Sequence, residues 1–169
     1  MIDLDNYPSN HDDNALYRAE LMQMCDEKRN TGQYTDEALK MQREVVIRAE
    51  SDRFFFFNVL LWTYDPRPNH YPADKPFCTF PRQDDYLRWL EMMYRKPMNE
   101  SGFADKSRDV GCSYVSIGWG VHHWLFDESF NMHLGSRKED LVDKRGDPDC
   151  LFFKVEYMLK GLPTWMRPE

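Results

Sequence analysis

The run Phe54 to Trp62 (FFFFNVLLW) is apolar except for Asn58, so it has no face that can be left in water and must be enclosed by other parts of the chain. Periodicity cannot distinguish a buried strand from a buried helix when nearly every position is apolar, but the length of the segment favours a helix. The next segment imposes the opposite condition. Pro66, Pro68, Pro72 and Pro76 exclude a helix and mark a surface connection. An internal boundary is expected here, between a helical N-terminal region at 1–75 and a second region at 76–169.

The 169 residues are 41% hydrophobic and 15% aromatic, with no Gly/Ser or Gln/Asn tract and no internal repeat, which predicts a folded globular piece with a core. A net charge of -7 and a pI near 5.3 count against a free-standing nucleic-acid binder, because phosphate binding needs clustered Lys and Arg. If DNA is a partner, most of the grip lies elsewhere. Cys25, Cys78, Cys112 and Cys150 make no pair with metal-ligand spacing and read as reduced thiols. Asp3, Asp5, Asp12 and Asp13 leave no apolar segment for a secretory signal, and Phe54 to Trp62 is too short to cross a bilayer. A soluble intracellular chain is expected.

Residues 1–13 read as a loose arm. Asn14 is a candidate cap for a helix to about Arg29 with Leu16, Ala19, Met22 and Met24 near one side, and Thr35 for a second helix ending near Ser51. In QDDYLRWLEMMYR, Gln83 to Arg95, the spacing of Tyr86, Leu87, Leu90 and Met93 predicts an amphipathic helix with Asp84 and Asp85 in its first turn. Beyond Pro97, Gly102 to Asp105 reads as a short strand leading to a loop and the long apolar helix Cys112 to Phe126. A second short strand is expected at Ser129 to Leu134, helices at Arg137 to Asp143 and from Pro148 and Asp149 to Gly161, and an extended end.

The segment Lys106-Ser107-Arg108-Asp109-Val110-Gly111-Cys112-Ser113 lies where a phosphate-binding loop would. Such loops end in Gly, Lys, then Ser or Thr, so that backbone amides and a helix N-terminus hold phosphates while the hydroxyl ligates Mg²⁺. Gly111 and Ser113 match. Cys112 stands in the lysine position, and a lysine appears instead at the loop's start, Lys106. Taken alone, Gly-x-Ser is a common chance occurrence, and Lys106 and Arg108 also read as ordinary surface charges.

With its neighbours the segment says more. KSRDVGCSY resembles the deviant phosphate loop of tailed-phage large terminases, several of which place the lysine at the start of the loop. WTYDPR at Trp62 to Arg67 and PFCTFPRQDDYL at Pro76 to Leu87 resemble the family's pre-motor and adenine-recognition segments. LGSRKEDLVD at Leu134 to Asp143 and LPTWMRP at Leu162 to Pro168 resemble the stretch after its phosphate loop. The matching segments appear in the family's order over roughly residues 50–168.

The resemblance implies an α/β fold, a partial P-loop NTPase of terminase type with a helix-rich N-terminal region, binding ATP and Mg²⁺. The implied nucleotide-binding residues are Gln83, Lys106, Ser107, Arg108, Asp109, Val110, Gly111, Cys112 and Ser113. Gln83 would contact the adenine edge and Lys106 the β/γ-phosphates, Arg108 would stabilise the transferring phosphoryl group, and Ser113 would hold the metal. Lys106 and Arg108 are thus the catalytic candidates. Implied partners are double-stranded DNA, a portal protein and a small terminase subunit, in a homo-oligomeric ring when complete, in the host cytoplasm and without a membrane.

After Ser113 no segment reads as four apolar residues followed by Asp-Glu, the strand that supplies the family's catalytic carboxylates. Trp124 to Glu128 comes nearest but starts inside the helix leaving the loop. The chain is expected to stop before the ATPase is complete and to hydrolyse little ATP. A non-catalytic piece that docks on a partner through the aromatic N-terminal region is the alternative. His122 and His123, being adjacent, point to different sides of the helix and read as packing residues.

Overall fold

The computed structural model describes every residue except 1, 66, 68–71, 96–100, 108, 109 and 169. Its helices are α1 (His11–Cys25), α2 (Asp36–Ser51), α3 (Arg53–Phe55), α4 (Pro81–Arg95), α5 (Cys112–Phe126) and α6 (Leu151–Gly161). A π-helical turn, Phe56–Leu60, continues α3, and 3₁₀ turns occupy Glu139–Leu141 and Thr164–Met166. Strands β1 (Trp62–Tyr64) and β2 (Asp74–Pro76) pair antiparallel with Trp62 opposite Pro76. The chain is therefore helix-rich with one small two-stranded sheet among the described residues. It forms two compact units, Met1–Cys78 with Met158–Glu169, and Thr79–Tyr157. No described helix is long and apolar enough to cross a membrane.

In the first unit the apolar run is helical, as its length predicts, but the helix widens at its end. Leu61 N–H donates to Phe56 O across five residues at 3.2 Å, after which the backbone turns extended into β1. Phe55, Phe56, Phe57 and Leu61 are fully enclosed. The cost of ending a helix inside a core is a set of carbonyls with no helical partner. Asn14 and Arg18, one turn apart on α1, donate to three of them, and Phe77 N–H shares Leu61 O at 2.9 Å. Asn14 Nδ2 donates to Asn58 O at 2.8 Å and to Pro8 O at 2.7 Å. Arg18 Nη1 donates to Leu61 O at 2.6 Å, Nη2 to Phe57 O at 3.3 Å, and Nε to Asn14 Oδ1 at 2.6 Å.

This arrangement corrects the expected face of α1. Its buried residues are Asn14, Arg18, Leu21 and Cys25, while Leu16 is 71% exposed, because the core offers α1 a row of acceptors rather than a smooth apolar wall. Asn14, expected to cap the helix, is inside it; Asn10 caps, its Oδ1 accepting from Asp13 N at 2.9 Å. The N-terminal stretch is pinned rather than loose, since Tyr17 donates to Asp3 O and Arg48 pairs with Asp5 and Asp52. Thr35 caps α2 as predicted, accepting from Ala38 N.

In the second unit α4 starts two residues before the expected Gln83, with Pro81 in its first position, where its missing N–H is harmless. Helices α4 and α5 are tied along their length. Tyr86 OH and Ser116 Oγ lie 3.0 Å apart, Glu91 Oε2 accepts from Trp119 Nε1 at 3.3 Å and meets His123 Nε2 at 3.1 Å, and Tyr94 OH donates to Asp127 Oδ2 at 2.8 Å.

The strands expected at Gly102 to Asp105 and at Ser129 to Leu134 do not form; both segments are irregular. Each is fixed by side-chain packing instead of a ladder. Gly102 lies against the Trp89 ring so closely that a Cβ would sit 2.5 Å from it. Phe130 is buried among Tyr94, Trp119 and His123, and Met132 covers Gly120. The helix expected at Arg137 to Asp143 is reduced to the 3₁₀ turn Glu139–Leu141, and α6 begins at Leu151, later than expected.

Asn14→Ala would remove the side-chain donor to Asn58 O and the acceptor of Arg18 Nε. We expect it to cost about 1–3 kcal/mol in urea unfolding, from the loss of buried hydrogen bonds. Leu16→Ala on the same helix is expected to change stability by about 0.5 kcal/mol or less.

Candidate nucleotide site at the start of helix α5

Gly111 is the N-cap of α5 in the left-handed region, φ 75° and ψ 10°, a conformation that favours glycine. Its carbonyl accepts the first helical bond, from Val115 N at 3.0 Å. The amides of the first turn of α5 have no helical acceptor, which gives this end of the helix a partial positive charge. A side chain at Gly111 would also collide with Gln83, whose Nε2 lies 2.6 Å from the position of a Cβ.

Gln83 is the link between the two segments singled out in the sequence. It stands in the first turn of α4, only 9% exposed, and its Nε2 donates to Val110 O at 3.1 Å across 27 residues of chain. Its Oε1 is buried and has no hydrogen-bond partner among the described residues. A buried amide with one satisfied end and one open acceptor is costly unless something supplies the missing donor.

A cleft of about 290 Å³ opens beside it, lined by Phe80, Arg82, Gln83, Tyr86, Ala104, Asp105, Lys106, Ser107, Val110, Cys112 and Val115. Lys106 and Ser107 are exposed on its rim, Val110 is held by Gln83, and Cys112 is half-buried as the first residue of α5. Ser113 is exposed and is not among the lining residues. Arg108 and Asp109 lie outside the described residues. The structure thus brings Gln83, Lys106, Ser107, Val110, Gly111 and Cys112 together and leaves Ser113 to one side.

Phe80, Arg82 and Tyr86 lie within the segment Pro76 to Leu87, but nothing in the sequence singles them out individually there, with the partial exception of Tyr86, since a residue three after Gln83 on a helix shares its side. Asp127, from the segment Trp124 to Glu128, caps the end of α5. Hydrogen bonds from Ser129 and Tyr94 hold its carboxyl below the usual range. His122 and His123 are both buried, in keeping with packing roles. Among the described residues no group of three or more His, Cys, Asp or Glu is placed to hold a metal ion. All four cysteines are unbridged. No family model, curated protein or solved structure matches the chain.

Gly111→Ala should lower stability by about 1–3 kcal/mol, from left-handed strain of roughly 1–2 kcal/mol plus displacement of Gln83. Measured by denaturant unfolding, its effect should be smaller in a Gln83→Ala background, because the collision is then gone. A thiol reagent at limiting ratio should modify Cys112 first, as read by mass spectrometry. Cys25 and Cys150 are buried, and burial pushes the Cys25 thiol up to about 12 and the Cys78 thiol upward.

Proposed function

We propose that this chain is an ATP-binding module of a terminase-type DNA-packaging motor, a partial P-loop unit in which α4 supplies the base contact and the loop before α5 the phosphate contacts. The observation that supports it most is Gln83 held against the loop at Val110 with an open, buried acceptor. An adenine amino group is a donor of the kind that Oε1 lacks, and the amide's own N–H₂ has a further donor for the ring edge. With the base there, the phosphates would extend toward Lys106 and the first-turn amides of α5, which offer charge and N–H groups together. Phe80 and Tyr86 would provide apolar surface for the base.

Lys106 would neutralise the β/γ-phosphates from the front of the loop, where Cys112 leaves the ordinary lysine position uncharged. Arg108 would add charge at the transferring group and Ser113 would hold Mg²⁺; both roles rest on the likeness to terminase loops. A bound Mg²⁺ supplies charge neutralisation between the phosphates. The partners proposed on the same likeness are double-stranded DNA, a portal protein and a small terminase subunit, in a ring of like chains in the host cytoplasm. With a net charge of -7, this chain would leave most of the grip on DNA to other parts of the motor. It would bind ATP and turn over little of it, since no apolar strand ending in paired carboxylates is present among the described residues to polarise water.

Mg²⁺-ATP should raise the melting temperature of the chain and slow modification of Cys112, both by mass action. Gln83→Ala and Lys106→Ala should each remove most of both effects while the variant stays folded. Unchanged melting and unchanged Cys112 reactivity at millimolar ATP would overturn the nucleotide site, leaving the non-catalytic interaction protein as the better reading. Mg²⁺-dependent turnover abolished by Lys106→Ala would overturn the expected lack of hydrolysis.

A further inference from the structure

We propose that a second cavity, within the N-terminal unit and independent of the nucleotide reading, binds a small organic monocarboxylate with an apolar body, its carboxylate held by Arg18 and Arg167. The cavity measures about 360 Å³ and has Arg18 in its wall, a side chain only 3% exposed. Among the described residues every hydrogen bond Arg18 makes is to a neutral acceptor: Asn14 Oδ1, Leu61 O and Phe57 O. Its guanidinium also lies over the Trp62 ring, 5.2 Å from the centroid. A guanidinium has five N–H groups, so donors remain beyond these bonds. No carboxylate pairs with it among the described residues, and burial draws it down to about 9, against a small opposing effect of Cys78. A cation removed from water and left without a counter-charge is a standing electrostatic cost that a bound anion would offset.

The rest of the cavity narrows the ligand. Arg167 brings a second guanidinium to it, held in place by donating to Leu162 O at 2.7 Å and Lys160 O at 2.5 Å. The one acid in the wall, Asp26, is exposed, as is Arg167, so that two guanidiniums face one carboxylate and Arg18 is the only buried charge of the three. This leaves a cationic cavity on a chain whose net charge is -7. Met22, Trp62 and Leu162 form apolar wall beside the guanidiniums. A planar carboxylate matches an arginine fork, and an apolar body matches that wall. Inorganic phosphate, more strongly hydrated and with no apolar part, would lose more water than this cavity replaces.

The test is calorimetric titration of the full chain with benzoate, with benzamide as its neutral counterpart and inorganic phosphate as the bare anion. We expect saturable binding of one benzoate per chain, and binding of benzamide and phosphate weaker by about tenfold or more. Ala15→Leu fills the cavity from α1 without touching the bonds of Arg18, and should abolish benzoate binding in a folded chain. Arg167→Gln should weaken it several-fold. Arg18→Met, if folded, should lose it; if it does not fold, the other two variants decide. The proposal is overturned by absence of benzoate binding, by benzamide or phosphate binding as tightly, or by a folded Ala15→Leu chain that binds benzoate like the parent.

Discussion

A helix that must end inside a hydrophobic core leaves carbonyl groups with nowhere to go, and the N-terminal unit is organised around that problem. The run from Phe54 to Trp62 is too apolar to be exposed, and the widened turn at its end points its carbonyls inward. Asn14 and Arg18 on α1 answer them directly, with hydrogen bonds of 2.6 to 3.3 Å to Asn58, Leu61 and Phe57. Because both donors stand on one face of α1, they also set how that helix is turned, leaving Leu16 in solvent. Satisfying buried backbone groups takes precedence here over hiding one more leucine, as the relative costs predict: an orphaned buried carbonyl costs about 1–3 kcal/mol, comparable to or more than exposing a single aliphatic side chain.

The second unit is built on a pair of helices, with its loop seated at one end. Tyr86 with Ser116, Glu91 with Trp119 and His123, and Tyr94 with Asp127 fasten α4 to α5. That fastening puts Gln83 of α4 against Val110 and Gly111 at the start of α5, and so brings together two segments far apart in the chain. In a terminase-type reading the same contact would place base recognition beside phosphate recognition. The flanking segments at 101–107 and 129–136 are irregular, with Gly102 packed on Trp89 of α4 and Phe130 and Met132 packed on α5 where strands were expected.

Several elements are legible in the chain because their signals are local. Thr35 caps α2 by bonding to an amide three residues on, Asp84 stands in the first turn of α4 while the earlier start at Pro81 moves Asp85 out of it, and Gly111 with the apolar stretch after it marks the start of α5. The strands expected at 102–105 and 129–134 are absent because strand formation requires a partner at hydrogen-bonding distance, and a short sequence says nothing about whether one exists. The buried face of α1 differs from expectation for a related reason. Apolar spacing nominates Leu16, Ala19 and Met22, but the face is chosen by acceptors presented from another part of the chain.

Sequence alone determined where most helices run, that Phe54 to Trp62 is largely enclosed, and that a glycine opens the helix after residue 111. Those properties depend on neighbours within a few residues, through caps, dihedral limits and hydrophobicity. Only the tertiary structure decided that Gln83 meets Val110, that its Oε1 has no partner among the described residues, that Ser113 lies outside the cleft's wall, and that buried Arg18 lines a cavity and pairs with no carboxylate among those residues. Each of these is a distance between groups far apart in the chain, and such distances are set by how whole helices pack.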